Sequence, residues 1–186
     1  MKYYIKNMVC NRCVMAVQNI FENLGYTPFR IVLGEVETII PIDSDNLEKL
    51  KTQLLNFGFE LIDDTQSRII EKIKNTIISM VHYTTDELKV NYSEFIASQL
   101  NRDYSYLSSL FSEIEGTTIE KYIINQKIEK VKELLVYDEL TLSEIAYKMG
   151  YSNVAYLSSQ FKKVTGLTPS HFKQVKENKR KPLDEV

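Results

Sequence analysis

Cysteine is nearly missing from this chain. Cys10 and Cys13 are the only two among 186 residues, which excludes a disulfide scaffold. Their C-x-x-C spacing, in a reducing compartment, points to metal binding or thiol redox chemistry. No apolar run approaches the length of a membrane span, and the opening MKYYIKNMVC carries no signal-peptide hydrophobic core. A cytoplasmic protein with no membrane partner is therefore expected. With 6 glycines and 2 histidines, the chain also holds no Gly-rich phosphate loop and no pair of His ligands. No nucleophile–base constellation is visible either, so an enzyme is not expected.

What is present reads as globular protein: 44% hydrophobic and 26% charged residues, enough for one or two cores. The net charge of −2 argues by itself against a nucleic-acid binder. Its distribution argues otherwise. Residues 1–64 carry 6 Lys and Arg against 9 Asp and Glu, as do residues 88–139, whereas residues 140–186 carry 8 against 4. A phosphate-binding surface belongs at the C-terminal end.

Residues 1–64 read as strand, helix, strand, strand, helix, strand. KYYIK (2–6) has strand composition, and from Cys13 a helix follows with Val14, Val17, Phe21 and Leu24 on one face until Gly25. FRIVL (29–33) and EVETIIPI (35–42) form a hairpin at Gly34. Ser44 or Asp45 caps the next helix, whose stripe is Leu47, Leu50, Leu54 and Phe57, and FELID (59–63) closes the set. The order βαββαβ is the ferredoxin-like arrangement. Cys10 and Cys13 fall between the first strand and first helix, where helix-start N–H groups favour thiolates. Two thiolates suit Cu(I), and Zn(II) needs further ligands. NMVCNRC resembles the M-x-C-x-x-C of the heavy-metal-associated domain of copper chaperones. That resemblance implies that Cys10 and Cys13 are the metal ligands and that Phe59 shields them. Asn7 stands where that family usually has Gly. Met8 reads as a core plug, and His82 and His171 as structural.

The junction DDTQS (63–67) is short, and Asp64 or Thr65 can cap the helix that follows it. Ile70, Ile73, Ile77 and Met80, widened by Ile69, Ile78 and Val81, predict a helix packed into the next domain in preference to a dimer seam.

Aligning the chain on itself brings out a repeat. SEFIASQLNRDYSYLSSLFSEIEGTTIEKY (93–122) matches SEIAYKMGYSNVAYLSSQFKKVTGLTPSHF (143–172), with Ala97 on Ala146, Leu107 on Leu157, Phe111 on Phe161, Gly116 on Gly166 and Tyr122 on Phe172. Each copy is a short helix, a turn, a second helix and a Gly stop, which is a helix-turn-helix unit. Between the copies, 119–138 predicts one long helix with Ile124, Ile128, Val131 and Leu135 inward. Two such units on one rod could enter successive major grooves about 34 Å apart. Helical spacing makes Leu107, Phe111 and Ile114, and likewise Leu157, Phe161 and Val164, core residues. It turns Ser105, Ser109, Ser112 and Glu113 outward in the first copy, flanked by Ser108. In the second it turns out Ala155, Ser159, Lys162 and Lys163, flanked by Ser158.

Residues from about 67 to 176 resemble the AraC/XylS family DNA-binding domain. The motif LTLSEIAYKMGYSNVAYLSSQFKKVTGLTPSHFK (140–173) carries its I-A-x-x-x-G-[YF], F-K-K-x-x-G and T-P-x-x-[FY] features in order. The resemblance implies sequence-specific transcriptional regulation, with base-contacting positions at Ser105, Ser108, Ser109, Ala155, Ser158 and Ser159. The first unit departs from the family in its Ser112, Glu113 and Glu115. Carboxylates repel phosphate, so the second unit, with Lys162, Lys163, Lys173, Lys176, Lys179, Arg180 and Lys181, is expected to dominate.

The expected organisation is α+β. It comprises a ferredoxin-like metal-binding domain (1–64), an all-α domain with two helix-turn-helix units (65–176) and a basic then acidic frayed tail (177–186). The expected function is a regulator that binds double-stranded DNA and responds to a soft metal ion, Cu(I) before Zn(II). A homodimer and RNA polymerase stand as further partners. The rivals are a regulator whose first domain only binds protein or dimerises, and a metal chaperone with a helical docking domain.

Overall fold

The computed structural model describes residues 1–62, 64–83, 91–174 and 183. It divides into two compact units, Met1–Asn75 and Thr76–Val186. The first is mixed α+β and the second all-helical in its described residues.

In the first unit the order is β1 (Lys2–Lys6), α1 (Asn11–Asn23), β2 (Pro28–Val32), β3 (Glu35–Thr38), α2 (Ser44–Asn56) and β4 (Glu60–Ile62), followed by the start of α3 (Thr65–Ile78). The strands lie in the order β2-β3-β1-β4 with every neighbouring pair antiparallel. Alternation along β1 sends Ile5 into a core with Val17, Ile20, Phe21, Leu50 and Leu54, supplied by α1 and α2. The opposite alternation places the Tyr4 ring under Arg68 and Lys72 of α3, 4.7 Å and 5.1 Å from the ring centroid. Most of α3 thus belongs with the sheet, and the division of the chain falls inside this helix rather than at residue 64.

Several local expectations need correction. β3 stops at Thr38, not at residue 42: its last bonds to the neighbouring strand are the two that Thr38 exchanges with Met1, and Ile39 and Ile40 are exposed. α1 starts at Asn11, ahead of Cys13. The cap of α2 is Asp43, whose carboxylate accepts from Asn46 N–H at 2.9 Å and from the Tyr26 hydroxyl at 2.6 Å. These bonds, the tyrosine's above all, hold Asp43 at a pKa of about 2. Phe57 sits past the last turn of α2 and is exposed. Asp64 caps α3, accepting from Ser67 N–H at 2.7 Å.

The second unit opens with the end of α3 and a π-helical turn, Ser79–Tyr83. The described helices that follow are α4 (Tyr92–Leu100), α5 (Tyr104–Glu115), α6 (Ile119–Tyr137), α7 (Leu142–Lys148), α8 (Val154–Thr165) and α9 (Pro169–Gln174). α6 is the hub: α5, α7, α8, α9 and the π-helical turn all pack on it. Ile128, Val131 and Leu135 are buried as expected, but Ile124 is half-exposed and Ile123 is buried in its place. The expected frayed tail lies outside the described residues, apart from Leu183.

Candidate functional site

The two cysteines sit at the start of α1. Cys10 occupies the N-cap position in extended conformation, Cys13 lies in the first turn, and their sulfurs are 3.2 Å apart, both half-buried. Burial raises the Cys10 thiol, yet its bond with Cys13 and the N–H groups of Cys13 and Arg12 outweigh that and leave it below the ordinary value. Burial and the same sulfur contact push Cys13 up. The loop is shaped by Asn7, which adopts φ of 69°, a left-handed conformation that Asn tolerates better than most side chains. Its side chain donates to the Gly58 carbonyl at 2.9 Å, and its backbone N–H reaches Glu71 Oε2 at 3.4 Å. Met8 is fully buried and Phe59 nearly so, closing the loop from below. Among the described residues no third His, Cys, Asp or Glu joins the pair, so the donor set is two sulfurs. That set fits a soft monovalent ion and falls short of tetrahedral zinc.

The second unit repeats one local construction twice. In the first copy, α4 ends at Asn101 in left-handed conformation, Arg102 N–H bonds the Ala97 carbonyl at 3.1 Å, and Asp103 caps α5 through Tyr106 N–H at 3.2 Å. In the second, Gly150 takes the left-handed turn (φ 67°), Tyr151 N–H bonds the Ala146 carbonyl at 2.9 Å, and Asn153 caps α8 through Tyr156 N–H at 2.8 Å. Asn and Gly stand there because few other residues reach positive φ without strain. Beyond α5, Phe111 meets Tyr122 edge to face at 5.6 Å; beyond α8, Phe161 meets Phe172 at 5.5 Å. Thr118 and Thr168 accept from the N–H three residues on, starting the helices that carry those second rings.

On the outward faces, Ser105, Ser109, Ala155, Ser159, Lys162 and Lys163 are exposed and Ser108 and Ser158 half-exposed. Small hydroxyl side chains on an uncovered helix face leave room for a groove edge, and hydroxyls can both donate and accept. The electrostatics differ between copies. α8 ends in Lys162 and Lys163 and carries no acid, while α5 carries Glu113 and Glu115 and no base.

Residues 96–174 match a protein-family model described as "Helix-turn-helix domain". The transcriptional regulatory protein YesN of Bacillus subtilis is 30% identical over 126 residues, covering 64% of this chain and 34% of that protein. The HTH-type transcriptional regulator YtdP of the same organism is 26% identical over 117 residues, covering 62% of this chain and 15% of that one. Among solved structures, the C-terminal domain of AraT, a response regulator from Geobacillus stearothermophilus, superposes with a TM-score of 0.51. It is 26% identical and covers 63% of this chain and 95% of that one. The C-terminal part of this chain is an AraC-type helix-turn-helix domain. The chain spans well under two thirds of the length of both curated relatives.

Within the AraC-type domain two expected core positions are not core. Ile114 is 43% exposed and Val164 41%. They lie in the last turn of α5 and α8, three residues past the fully buried Phe111 and Phe161. In the first copy Leu110, at 5% exposure, fills the stripe instead. Sequence reasoning also missed the polar interior of α6. Gln126, Lys127, Glu129 and Lys132 are all buried. Glu129 and Lys132 pair with each other, Gln126 bonds His82 at 3.0 Å and the Tyr122 hydroxyl at 3.1 Å, and Lys127 lies 4.4 Å from the Tyr151 ring centroid. The i, i+3 spacing of Glu129 and Lys132 was the one available signal, and it reads equally as a solvated pair.

Proposed function

We propose that the protein is a sequence-specific transcriptional regulator of the AraC/XylS family that reads double-stranded DNA with α5 and α8. The observation that carries this is the duplicated construction. Two helices with matched caps, turns and ring pairs each present an uncovered, hydroxyl-lined face, and no packing need explains why both are bare. Ser105, Ser108 and Ser109 contact bases on the first helix and Ala155, Ser158 and Ser159 on the second. Lys162 and Lys163 neutralise phosphates, so α8 supplies most of the affinity and α5 reads through hydroxyls and bridging water. A homodimer on repeated half-sites and contact with RNA polymerase complete the reading.

The N-terminal unit is, in the same proposal, a ferredoxin-like domain of the heavy-metal-associated type that makes the regulator respond to a soft ion. Its support is the strand order with all-antiparallel pairing, which is the split-βαβ arrangement, and the thiol pair at a helix start. Cys10 and Cys13 would hold Cu(I) as thiolates, and the ion supplies a strong preference for sulfur. Asn7 ties the thiol loop to Glu71 of α3, and α3 runs on into the AraC-type domain. A change of loop order therefore has a covalent route to the DNA-reading unit. Regulation further requires that the ion bind two states of the protein with different affinity.

Footprinting on genomic fragments, with reductant alone and with Cu(I) or Zn(II), tests both parts. Protected sites whose occupancy changes with Cu(I), and not in Cys10→Ser/Cys13→Ser, are expected. Protection indifferent to metal removes the sensing role and leaves the regulator; no specific protection at all removes the regulator.

A further inference from the structure

Between α6 and α8 lies a cavity of about 510 Å³, a size typical of sites for small organic molecules. It adjoins the DNA-reading face: on α8 it is lined by Gln160, Lys163 and Val164, and Lys163 lies one turn beyond Ser159 on the same stripe. Its wall on α6 is a single stripe with Lys121, Ile124, Glu129 and Lys132 at helical spacing.

The lining mixes charged, polar and apolar side chains. The buried Glu129 and Lys132 pair with each other. Lys121 and Lys163 are exposed, and neither side chain has a partner among the described residues. Asn125 and Gln160 are polar and neutral, and Ile124 and Val164 supply the apolar lining, Val164 being 41% exposed although its helical position is apolar-stripe. Three ammonium groups against one carboxylate make the cavity electropositive.

We propose that this cavity binds a small organic acid, its carboxylate paired with Lys121 and Lys163 and its apolar body, a short chain or single ring, set against Ile124 and Val164. A neutral ligand would desolvate two ammonium groups without pairing them. Inorganic phosphate would leave the apolar wall wet, and Glu129 opposes a second negative charge. The proposal is independent of the metal reading and shares Lys163 with the DNA reading, so bound acid and phosphate would compete for that side chain.

The test is a titration of the ¹⁵N-labelled full-length chain, followed by backbone amide shifts. The ligands are hexanoate and phenylacetate, with hexanamide and phenylacetamide as neutral controls and inorganic phosphate as the bare anion. Both acids should shift α6 and α8 signals around Ile124 and Val164 saturably, with the amides and phosphate at least about tenfold weaker, as expected for loss of a charge-assisted bond or of the apolar contact. Lys121→Met, which keeps the aliphatic stem on an exposed position, should weaken the acids about tenfold with an unchanged melting temperature. Ile124→Asp should abolish binding. The proposal is overturned by no saturable shift below about 10 mM acid, by amides that bind as well as acids, or by undiminished affinity in Lys121→Met.

Discussion

The two helix-turn-helix copies share a skeleton and differ in surface. Each has a left-handed turn residue, a carboxylate or amide cap, a Gly stop and an edge-to-face ring pair at nearly the same separation. Yet the first ends its second helix in Glu113 and Glu115 and the second in Lys162 and Lys163. What must be repeated to build the unit is a set of backbone partners and one buried ring; what varies is the charge shown to a ligand. The duplicated helices are thus one scaffold carrying two surface charges.

The comparison breaks most readily at its cores. Phe111→Ala and Phe161→Ala each remove a fully buried ring and its edge-to-face contact, so each should cost about 3–5 kcal/mol by urea denaturation. Costs that differ by more than the spread of that range would mean the copies do not share a core. Next comes charge. Lys162→Ala/Lys163→Ala should lower affinity for DNA roughly 10- to 100-fold and reduce the slope of log affinity against log salt by about 2. Glu113→Lys should raise both. Greater sensitivity at α5 than at α8 would reverse the ranking of the two helices.

The second copy places Tyr151, the residue after its turn glycine, against the buried Lys127 amine, which gives a pH test. Burial pulls the Lys127 ammonium down to about 8, while burial pushes Tyr92 up to about 12 and Tyr151 higher still. A lowered folded-state pKa means the unfolded chain binds more protons above pH 8, so stability should rise from about pH 8 to 10. Above that, the raised tyrosines reverse the slope. The gain should be about 1–2 kcal/mol, reduced by the Tyr151 ring, which favours the charged amine. Lys127→Met should flatten the rise in denaturation curves taken across that window.

The smallest effects are local. Asp103→Ala and Asn153→Ala should each cost about 1 kcal/mol as lost caps. At the turns, Gly150→Ala should cost about 1 kcal/mol, whereas Asn101→Gly should change stability by only a few tenths. Thermal melts of the four variants measure whether the turns are as equivalent as the hydrogen bonds make them.

Legibility followed the range of the signal. The repeat was readable because Ala97 and Ala146, Phe111 and Phe161, Gly116 and Gly166 recur in register, and the outward serines followed from helical spacing. The thiol loop was readable too, although at Asn7 only the backbone shows how a non-Gly residue takes the turn. Ile114 and Val164 were misplaced because periodicity says which face a residue occupies, not where the covering element ends. β3 was read too long for the same reason: IIPI has strand composition, but the pairing with the neighbouring strand ends at the Met1–Thr38 bonds.

By itself, then, the sequence determined which segments become helices and strands, where left-handed turns stop them, that one helical unit is written twice, and that two thiols meet at a helix start. These rest on contacts a few residues apart along the chain. Only the tertiary structure decided that α6 is enclosed by its neighbours and buries Lys127, Glu129 and Lys132, and that Val164 faces an open cavity instead of a core. Burial depends on what arrives from elsewhere in the chain, and no residue's own pattern records that.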